Sequence, residues 1–490
     1  MTIEQIVHQI KENDPTADVT LIEKAYAFAK KAHGDQERRS GELYISHPLH
    51  TAFILAQIKA DINTITAGLL HDVPEDTSVT IDDIKKEFGE EIAYLVEGIT
   101  KLSKIKYRGV ERYKESLRKM FLAMANDIRV ILIKFADRLH NLRTLEILPD
   151  KKRDRIAKET LEIYAPIAGL LGVWRLKWQM EDICFKYLYP EEYKKVEYKY
   201  EIEKKVELNQ YIQKITTILK KELEKLGIEY KIESRFKHLY SIWQKMENKN
   251  RKFDEIYDVF AVRVIVPTIA DCYNVLGIIH TIWKPNYNRF KDYIAVQKPN
   301  GYRSLHTTVF GPHGKATEFQ IRTQSMHEEA IYGISAHLYY KEQGVDKNLK
   351  EKPPRWVQEI LSAQRDAANT QDFLKDIKFN IFQDRIFVFT PKGDVYDLPR
   401  DATPVDFAYA VHTDVGNRCA SALINGKMSA LDSELKNGDM VEIITEKNKK
   451  GPNYDWIRFV KTKKAKEKIK QHSRRFDIQK IRKYLPGLHQ

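Results

Sequence analysis

Two groups of residues in this chain have the types and spacing to do chemistry. The first is His47, an adjacent His71-Asp72 and a later Asp137. Two imidazoles and two carboxylates suit a borderline divalent ion such as Mn²⁺, with positions left for a water that the ion makes acidic. A lone histidine in helical text is usually a satisfied core residue, but a His-Asp pair with a second His and a further Asp reads as a ligand set. Asp137 supports this. At about 100° per residue it continues the helix side that runs Val130, Ile133 and Asn141, opposite Ile128, and a carboxylate on an apolar stripe must be paired or metal-bound. The second group lies between Arg289 and Arg322. If Arg289 to Ala295 is extended, Arg289, Lys291 and Tyr293 share a face; in Thr317 to Thr323, Glu318, Gln320 and Arg322 alternate with Phe319 and Ile321. A turn written by Pro299 and Asn300-Gly301 presents Lys298, Tyr302 and Arg303 beside them. Cations for phosphates, a ring for a base and a carboxylate for Mg²⁺ fit a nucleotide.

These residues need elements to hold them. The first third reads as successive helices, among them one capped by Asp127 with Ile128, Ile131, Leu132, Phe135, Leu139 and Leu142 on one face. Ser103 to Arg118 is polar and reads as a mobile flap, and Glu191 to Leu226 as charged connecting helix. Strand patterns then begin: Ile256 to Val266 is apolar on both faces, as a central strand is, with Asp258 at its entrance. Arg235 to His238 reads as the opening of a helix that runs through Met246. From Asp384 the text becomes short strands and turns, at Pro391-Lys-Gly393, Asn425-Gly426 and Asn437-Gly438-Asp439, with a helix starting at Thr403-Pro404.

Composition narrows the class. With 490 residues, 42% hydrophobic and 31% charged, the chain is a globular protein of about three domains. The expectation is a cytoplasmic protein with no membrane partner, since no apolar run approaches the roughly 18 residues of a span and the N-terminus lacks a signal-peptide core. Cys184, Cys272 and Cys419 are too few and too scattered for a disulfide framework or a zinc site. Residues 446–490 hold 15 Lys and Arg against 4 Asp and Glu, so that segment carries most of the net +13. Its cations interleave with Tyr454, Trp456, Phe459 and Phe476, a composition that suits RNA or a ribosome.

Both groups also carry a family resemblance. RRSGELYISHP, HDVPEDT and ADRLHNLRTL resemble the hydrolase branch of the HD phosphohydrolases, and RFKDY, KPNGYRSLHTTV and EFQIRT resemble the synthetase signatures of long RelA/SpoT alarmone enzymes. The resemblance implies a bifunctional enzyme of the stringent response, a GTP pyrophosphokinase and a guanosine-3′,5′-bis(diphosphate) 3′-diphosphatase. It would move pyrophosphate from ATP to the 3′-hydroxyl of GDP or GTP, and hydrolyse (p)ppGpp back to GDP or GTP. In the hydrolase, His47, His71, Asp72 and Asp137 would hold Mn²⁺, Glu75 and Asp76 would activate water, and Arg38, Arg39, Asn141 and Thr144 would hold the nucleotide. In the synthetase, Asp258 and Glu318 would bind Mg²⁺, with Glu318 also the proton acceptor. Arg235 and Arg263 would serve ATP and Tyr302 would stack on guanine. Lys237, Lys245, Arg289, Lys291 and Lys298 would neutralise phosphates, and Asn300, His306 and Gln320 would shape the acceptor site. The C-terminal text resembles a TGS domain, which implies ribosome and uncharged tRNA as partners, with His412 near the tRNA end.

The resulting expectation is multidomain: an all-α HD-type hydrolase over 1–190, a mixed α/β nucleotidyltransferase-like synthetase over 191–345, a linker helix over 346–382, a small α+β ubiquitin-like TGS domain over 383–446 and a basic tail over 447–490. Two rivals stand beside it. Pro74 departs from the family's aliphatic residue and could misplace Glu75 and Asp76, leaving synthesis alone; or the chain is a non-catalytic ribosome- or tRNA-binding regulator.

Overall fold

The computed structural model describes residues 1–38, 41–103, 123, 127–200, 205–249, 260–298, 302–333, 335, 385–392, 394–436, 438–446, 449, 451–462 and 464–472. Arg39, Asp258, Asn300, the segment read as a flap (from residue 104 on), the expected linker 346–382 and Phe476 lie outside the described residues. The chain divides into two compact units, Met1–Gln358 and Glu359–Gln490.

The first unit begins with helices: α1 Ile3–Asn13, α2 Thr20–His33, α3 Ser46–Gln57, α4 Ile62–Leu70, α5 Val73–Asp76, α6 Ile81–Phe88, α7 Glu90–Ser103 and α8 Ile128–Arg143. Capping sets several starts. Asp61 accepts from Thr64 N ahead of α4, and Asp127 accepts from Arg129 N ahead of α8. Helix α8 is central: Ile131, Leu132, Phe135, Leu139 and Leu142 are fully buried, and Val130, Ile133 and Asp137 on its other side are buried as well. It packs on α3, α4 and α7, which is how one helix brings its carboxylate to ligands from α3 and the end of α4. Pro74 is the second residue of α5, where its missing N–H is unneeded. The amides of Glu75 and Asp76 both donate to Asp72 O, at 3.1 and 2.9 Å.

Helices α9 Asp150–Glu159, α10 Ala165–Leu170, α11 Trp174–Leu188, α12 Pro190–Glu197 and α13 Lys205–Lys225 lead to a six-stranded sheet. Its strands are β1 Lys231–Phe236, β2 Phe260–Val266, β3 Lys284–Pro285, β4 Lys291–Asp292, β5 Leu305–Phe310 and β6 Ala316–Thr323, in the order β1-β2-β6-β5-β3 with β4 also on β5. Strand β2 is central and buried at every position, and its pairing with β6 is parallel. Helix α14, Leu239–Lys249, follows β1, helix α15, Ile269–Ile282, follows β2, and α16, Gln324–Tyr332, follows β6. Tyr211, Ile215 and Leu219 of α13 and Val275 and Ile279 of α15 share one core with Phe319 and Ile321. The alternation in β6 therefore reads as expected, with Phe319 and Ile321 facing the helices and Glu318, Gln320 and Arg322 facing the other way.

Two local expectations fail. Arg289 to Ala295 is not one strand: Tyr287–Arg289 is a 3-10 turn and β4 is two residues long. Asp292 is the reason, because its Oδ1 accepts from the amides of Ile294 and Ala295 at 2.9 and 2.8 Å and turns the chain. Arg235 belongs to β1 rather than to a helix, and pairs across from Ala261.

Inside this unit the helical and sheet parts meet at a close seam. Gly333, in the left-handed region at φ 57°, abuts Gly172, and a Cβ on Gly333 would lie 2.3 Å from Leu171 O.

The second unit contains a hairpin, β7 Arg385–Phe389 with β8 Val395–Pro399, and a sheet in the order β10-β9-β11, from β9 Cys419–Ile424, β10 Lys427–Ser429 and β11 Val441–Thr445. Asn425 and Gly426, both at positive φ, make the tight β9–β10 turn. Helix α17, Pro404–Val411, starts in a Thr403/Asp406 capping box, and α18, Thr413–Arg418, follows. The segment read as a basic extension is part of this fold: Trp456, Val460, Ala465 and Ile469 are buried against Val405, Ala408, Tyr409 and Cys419. Asp406, fully buried, accepts from Lys461 N at 3.0 Å and from Thr462 N at 2.7 Å. Trp456 is accordingly unable to stack on RNA while the unit is folded.

Candidate active sites

In the helical part, His47 Nε2 lies 3.3 Å from Asp72 Oδ2 and 3.3 Å from Asp137 Oδ1. His71 Nδ1 is 2.8 Å from Gly68 O, and since a carbonyl only accepts, Nδ1 carries the proton and Nε2 keeps its lone pair. That Nε2 is buried and has no hydrogen-bond partner among the described residues, although Asp72 Oδ1 is 3.2 Å away. Burial pushes the His71 pKa down, which favours the neutral ring with its lone pair towards that carboxylate. Two acceptors turned towards one another call for a cation between them. His47, His71 and Asp137 offer ligand atoms all within 4.8 Å of one another. This N and O donor set fits a divalent metal.

Its electrostatics are already balanced. Burial alone would lower the His47 pKa, but hydrogen bonds to Asp137 and Asp72 raise it to about 9. Burial would raise both carboxylates; His71 and the His47 hydrogen bond hold Asp72 down, and Lys134 and His47 hold Asp137 well below the usual range. Lys134 Nζ is 2.9 Å from Asp137 Oδ2. Asn141 Nδ2 donates to Asp137 Oδ1 at 2.5 Å while its Oδ1 accepts from Arg38 Nη2 at 3.1 Å, and Thr144 Oγ1 donates to Asn141 O at 3.3 Å. Thus Arg38, Asn141 and Thr144 form one chain of contacts leading to the metal ligands. Glu75 and Asp76 are exposed on α5, and Asp76 Oδ2 is 2.5 Å from the Tyr44 hydroxyl, itself 3.1 Å from Asp72 Oδ2.

The sheet part brings its residues together by register. Glu233, Arg263, Gln320, His306 and Lys291 are paired one after another across β1, β2, β6, β5 and β4. Gln320 Nε2 donates to Glu318 Oε1 at 2.9 Å, His306 Nδ1 lies 3.4 Å from that oxygen, and His306 Nε2 is 2.8 Å from the Tyr302 hydroxyl. Lys298 Nζ sits 5.2 Å from the Tyr302 ring centre and 4.6 Å from that of Tyr293. Burial would raise Glu318, but His306, Gln320 and the charge of Lys237 bring it down to about 2, so it is anionic at neutral pH. The cations are the opposite case. Arg263 and Arg322 are buried, the Nε of each has no hydrogen-bond partner among the described residues, and burial followed by repulsion from Arg322 and Arg235 lowers Arg263 to about 10. Buried guanidiniums with unused donors fit a polyphosphate. Lys245 is in α14 and Arg289 in the turn before β4, on elements separate from this row.

Several residues of both sites were not singled out from the sequence. In the first they are Tyr44, Lys134 and His140; His140 Nδ1 is 2.6 Å from His47 Nδ1. Lys134 and His140 stand three residues either side of Asp137, a helical spacing that could have found them. In the second they are Glu233, which accepts from Arg263 Nη1 at 3.2 Å, and Arg322, whose guanidinium lies 5.6 Å from the Tyr302 ring centre. Arg322 was visible in the alternation of β6. Nothing in the sequence marks Glu233 or Tyr44. In the second unit, His412 is exposed at the N-terminus of α18, where its Nδ1 accepts from Asp414 N at 3.2 Å.

Comparison with known proteins places these sites in a family. The HD domain matches residues 25–174, the region found in RelA/SpoT proteins matches 234–345, and the TGS domain matches 386–445. An Aquifex aeolicus protein named guanosine-3′,5′-bis(diphosphate) 3′-pyrophosphohydrolase is 50% identical over 92% of this chain and 64% of its own length. A Myxococcus xanthus protein named GTP pyrophosphokinase is 45% identical, over 94% of this chain and 61% of its own. The Escherichia coli K12 protein named bifunctional (p)ppGpp synthase/hydrolase SpoT is 46% identical, over 93% of this chain and 65% of its own. The chain thus spans a little under two thirds of the relatives it matches. It carries an HD domain, a RelA/SpoT region and a TGS domain in that order, and over more than nine tenths of its residues it is similar to relatives named for (p)ppGpp synthesis and hydrolysis.

Proposed function

We propose that the chain is a bifunctional alarmone enzyme. It transfers pyrophosphate from ATP to the 3′-hydroxyl of GDP or GTP, releasing AMP, and hydrolyses (p)ppGpp to GDP or GTP and pyrophosphate. The observation that carries this is the presence, in one chain, of two separate polar sites of opposite character: a buried N/O cation site and a polar sheet face with unpaired guanidinium donors. Relatives named for each activity, and one named for both, support it.

In the hydrolase, His47, His71, Asp72 and Asp137 hold the metal, assigned as Mn²⁺, which when bound supplies a water of lowered pKa. Arg38, Asn141 and Thr144, with Arg39, hold the guanine nucleotide. Glu75 and Asp76 orient and deprotonate the water, with Tyr44 fixing Asp76 relative to Asp72. The placement of Pro74 in the first turn of α5 favours a working hydrolase over a synthesis-only enzyme. In the synthetase, Tyr302 stacks on guanine, with Asn300, His306 and Gln320 shaping the acceptor site. Arg235 and Arg263 serve ATP, and Lys237, Lys245, Arg289, Lys291 and Lys298 neutralise phosphate charge. Glu318 holds Mg²⁺ together with Asp258. A carboxylate held near 2 is a weak proton acceptor, so its part in the transfer is electrostatic before it is basic.

The TGS unit, with His412 exposed, is read as a docking module for ribosome and uncharged tRNA. No described helix is long and apolar enough to cross a membrane, and we assign the chain to the cytoplasm. Purified protein should form pppGpp or ppGpp from ATP with GTP or GDP, and should separately release pyrophosphate from ppGpp with Mn²⁺. Failure of both reactions would favour the non-catalytic regulator.

A further inference from the structure

The two imidazoles of the metal centre are aimed by different means. His71 Nδ1 donates to the backbone at Gly68 O, 2.8 Å away. At His47 the corresponding nitrogen meets a third histidine, with Nδ1 2.6 Å from His140 Nδ1. Both rings are buried, 2% and 4% exposed, so water does not intervene. A contact between two ring nitrogens needs one N–H and one lone pair. His47 Nε2 faces Asp72 and Asp137 at 3.3 Å each and must carry either a proton or a metal. With a metal on Nε2, a neutral His47 keeps its proton on Nδ1, so in the metal-bound site His47 donates and His140 accepts. His140 is itself held in place, stacked on His50 with ring centres 4.6 Å apart and planes 14° apart, and it stands on α8 three residues after the ligand Asp137.

Resting on the reading of this pocket as a divalent metal centre, we propose that His140 is a positioning residue of that centre: its Nδ1 accepts the His47 Nδ1 proton and so fixes the tautomer and ring plane that aim His47 Nε2 at the metal. A partner of this kind, outside the ligands themselves, typically changes metal affinity 10- to 100-fold. The discriminating substitutions are His140→Leu, which removes the acceptor, and His140→Gln, whose amide oxygen can replace it.

In the full chain, Mn²⁺ binding followed by electron paramagnetic resonance should weaken about 10- to 100-fold in His140→Leu and recover most of that in His140→Gln. Pyrophosphate transfer from ATP should be unchanged in both, since it belongs to the sheet part. Wild-type affinity in His140→Leu, or equal weakening in both variants, overturns the positioning role. A wild-type chain that binds no Mn²⁺ overturns the metal-centre reading and this inference with it. If His140→Leu fails to fold, imidazole ¹⁵N shifts of the wild type loaded with diamagnetic Zn²⁺ decide: a protonated Nδ1 on His47 facing a bare Nδ1 on His140 supports the proposal, and the reverse arrangement overturns it.

Discussion

The metal pocket and the sheet face solve opposite electrostatic problems. In the pocket, charges of both signs interleave: His47 lies between Asp72 and Asp137, and Lys134 takes the other oxygen of Asp137. With His47 raised to about 9, a proton stands where a cation would go, and the ligands are held in place without one. On the sheet face, Arg263, Arg322 and Arg235 repel one another, and two of the three keep an unpartnered Nε. That face is completed only by an anion. One region suits a cation and the other an anion, although both proposed reactions move the same pyrophosphate group.

If this contrast is right, the sites should fail independently, and this is the largest effect expected. Asp72→Ala should abolish ppGpp hydrolysis and leave synthesis from ATP and GDP, whereas Asp258→Ala or Glu318→Ala should abolish synthesis and leave hydrolysis. Both rates measured on each well-folded variant check this, and loss of both activities from one substitution would break the two-site reading. The contrast also predicts the medium's effect. Mn²⁺ has to displace the His47 proton, so its affinity should climb by up to about tenfold per pH unit until pH approaches 9.

A second large effect concerns the C-terminal unit. Ending the chain at Thr445 removes Trp456, Val460, Ala465 and Ile469 from its core and strips Asp406 of the Lys461 and Thr462 amides. Leaving a buried carboxylate with only its capping-box donors costs about 1–3 kcal/mol or more. Circular dichroism and limited proteolysis should show this unit unfolded in the truncated chain, while both activities of the first unit persist. Loss of RNA binding on truncation would therefore reflect unfolding; replacing the exposed Lys464 and Lys470 by Gln is the cleaner probe of salt-sensitive binding.

Much of the architecture was legible. The helix of Asp137 announced itself through its cap and its apolar spacing, and β6 through strict alternation, because both signals are local and periodic. The parts that were not legible depend on side chains closing contacts over distance. The turn after β4 is decided by Asp292 binding two amides just ahead of it, against an otherwise strand-like text. The segment after Thr445 looked like a charged extension because its four buried apolar residues are diluted by lysines, and its main tether is a carboxylate some 55 residues upstream. His140 was hidden for a related reason: its partner His47 is 93 residues away.

Tyr302 sharpens the comparison on the sheet side. Its ring lies near Lys298 and Arg322, and its hydroxyl near His306 Nε2. Tyr302→Ala should weaken guanine-nucleotide binding by about 1–3 kcal/mol through loss of the stacking ring. Tyr302→Phe keeps the ring and should cost only about 0.5–1.5 kcal/mol for one hydrogen bond. Calorimetric titration with GDP distinguishes them, and equal losses would transfer the role from the ring to the hydroxyl.

The smallest effect lies where the two regions join. Glu181 of α11, 7% exposed, accepts from Lys177 at 2.6 Å and from His238 Nε2 at 3.0 Å, and the next residue, Asp182, accepts from Tyr240 N at 2.9 Å. A helix of the N-terminal helical part is thereby tied to the start of α14, just past the first strand of the sheet. Burial works to raise the Glu181 pKa, but the His238 hydrogen bond and the Lys177 charge outweigh it and lower it below 4.5. A carboxylate lowered on folding contributes stability that is fully present above its unfolded value, near 4.5, and is lost as pH falls through the folded value. Glu181→Gln should therefore destabilise the first unit by about 1 kcal/mol at pH 7, and the gap from wild type should close on acidification. Urea unfolding of both chains at pH 7 and in acid measures it. A gap that stays constant with pH would mean that Glu181 acts by shape and hydrogen bonding alone, and that no charge of this kind joins the cation-seeking half of the unit to the anion-seeking half.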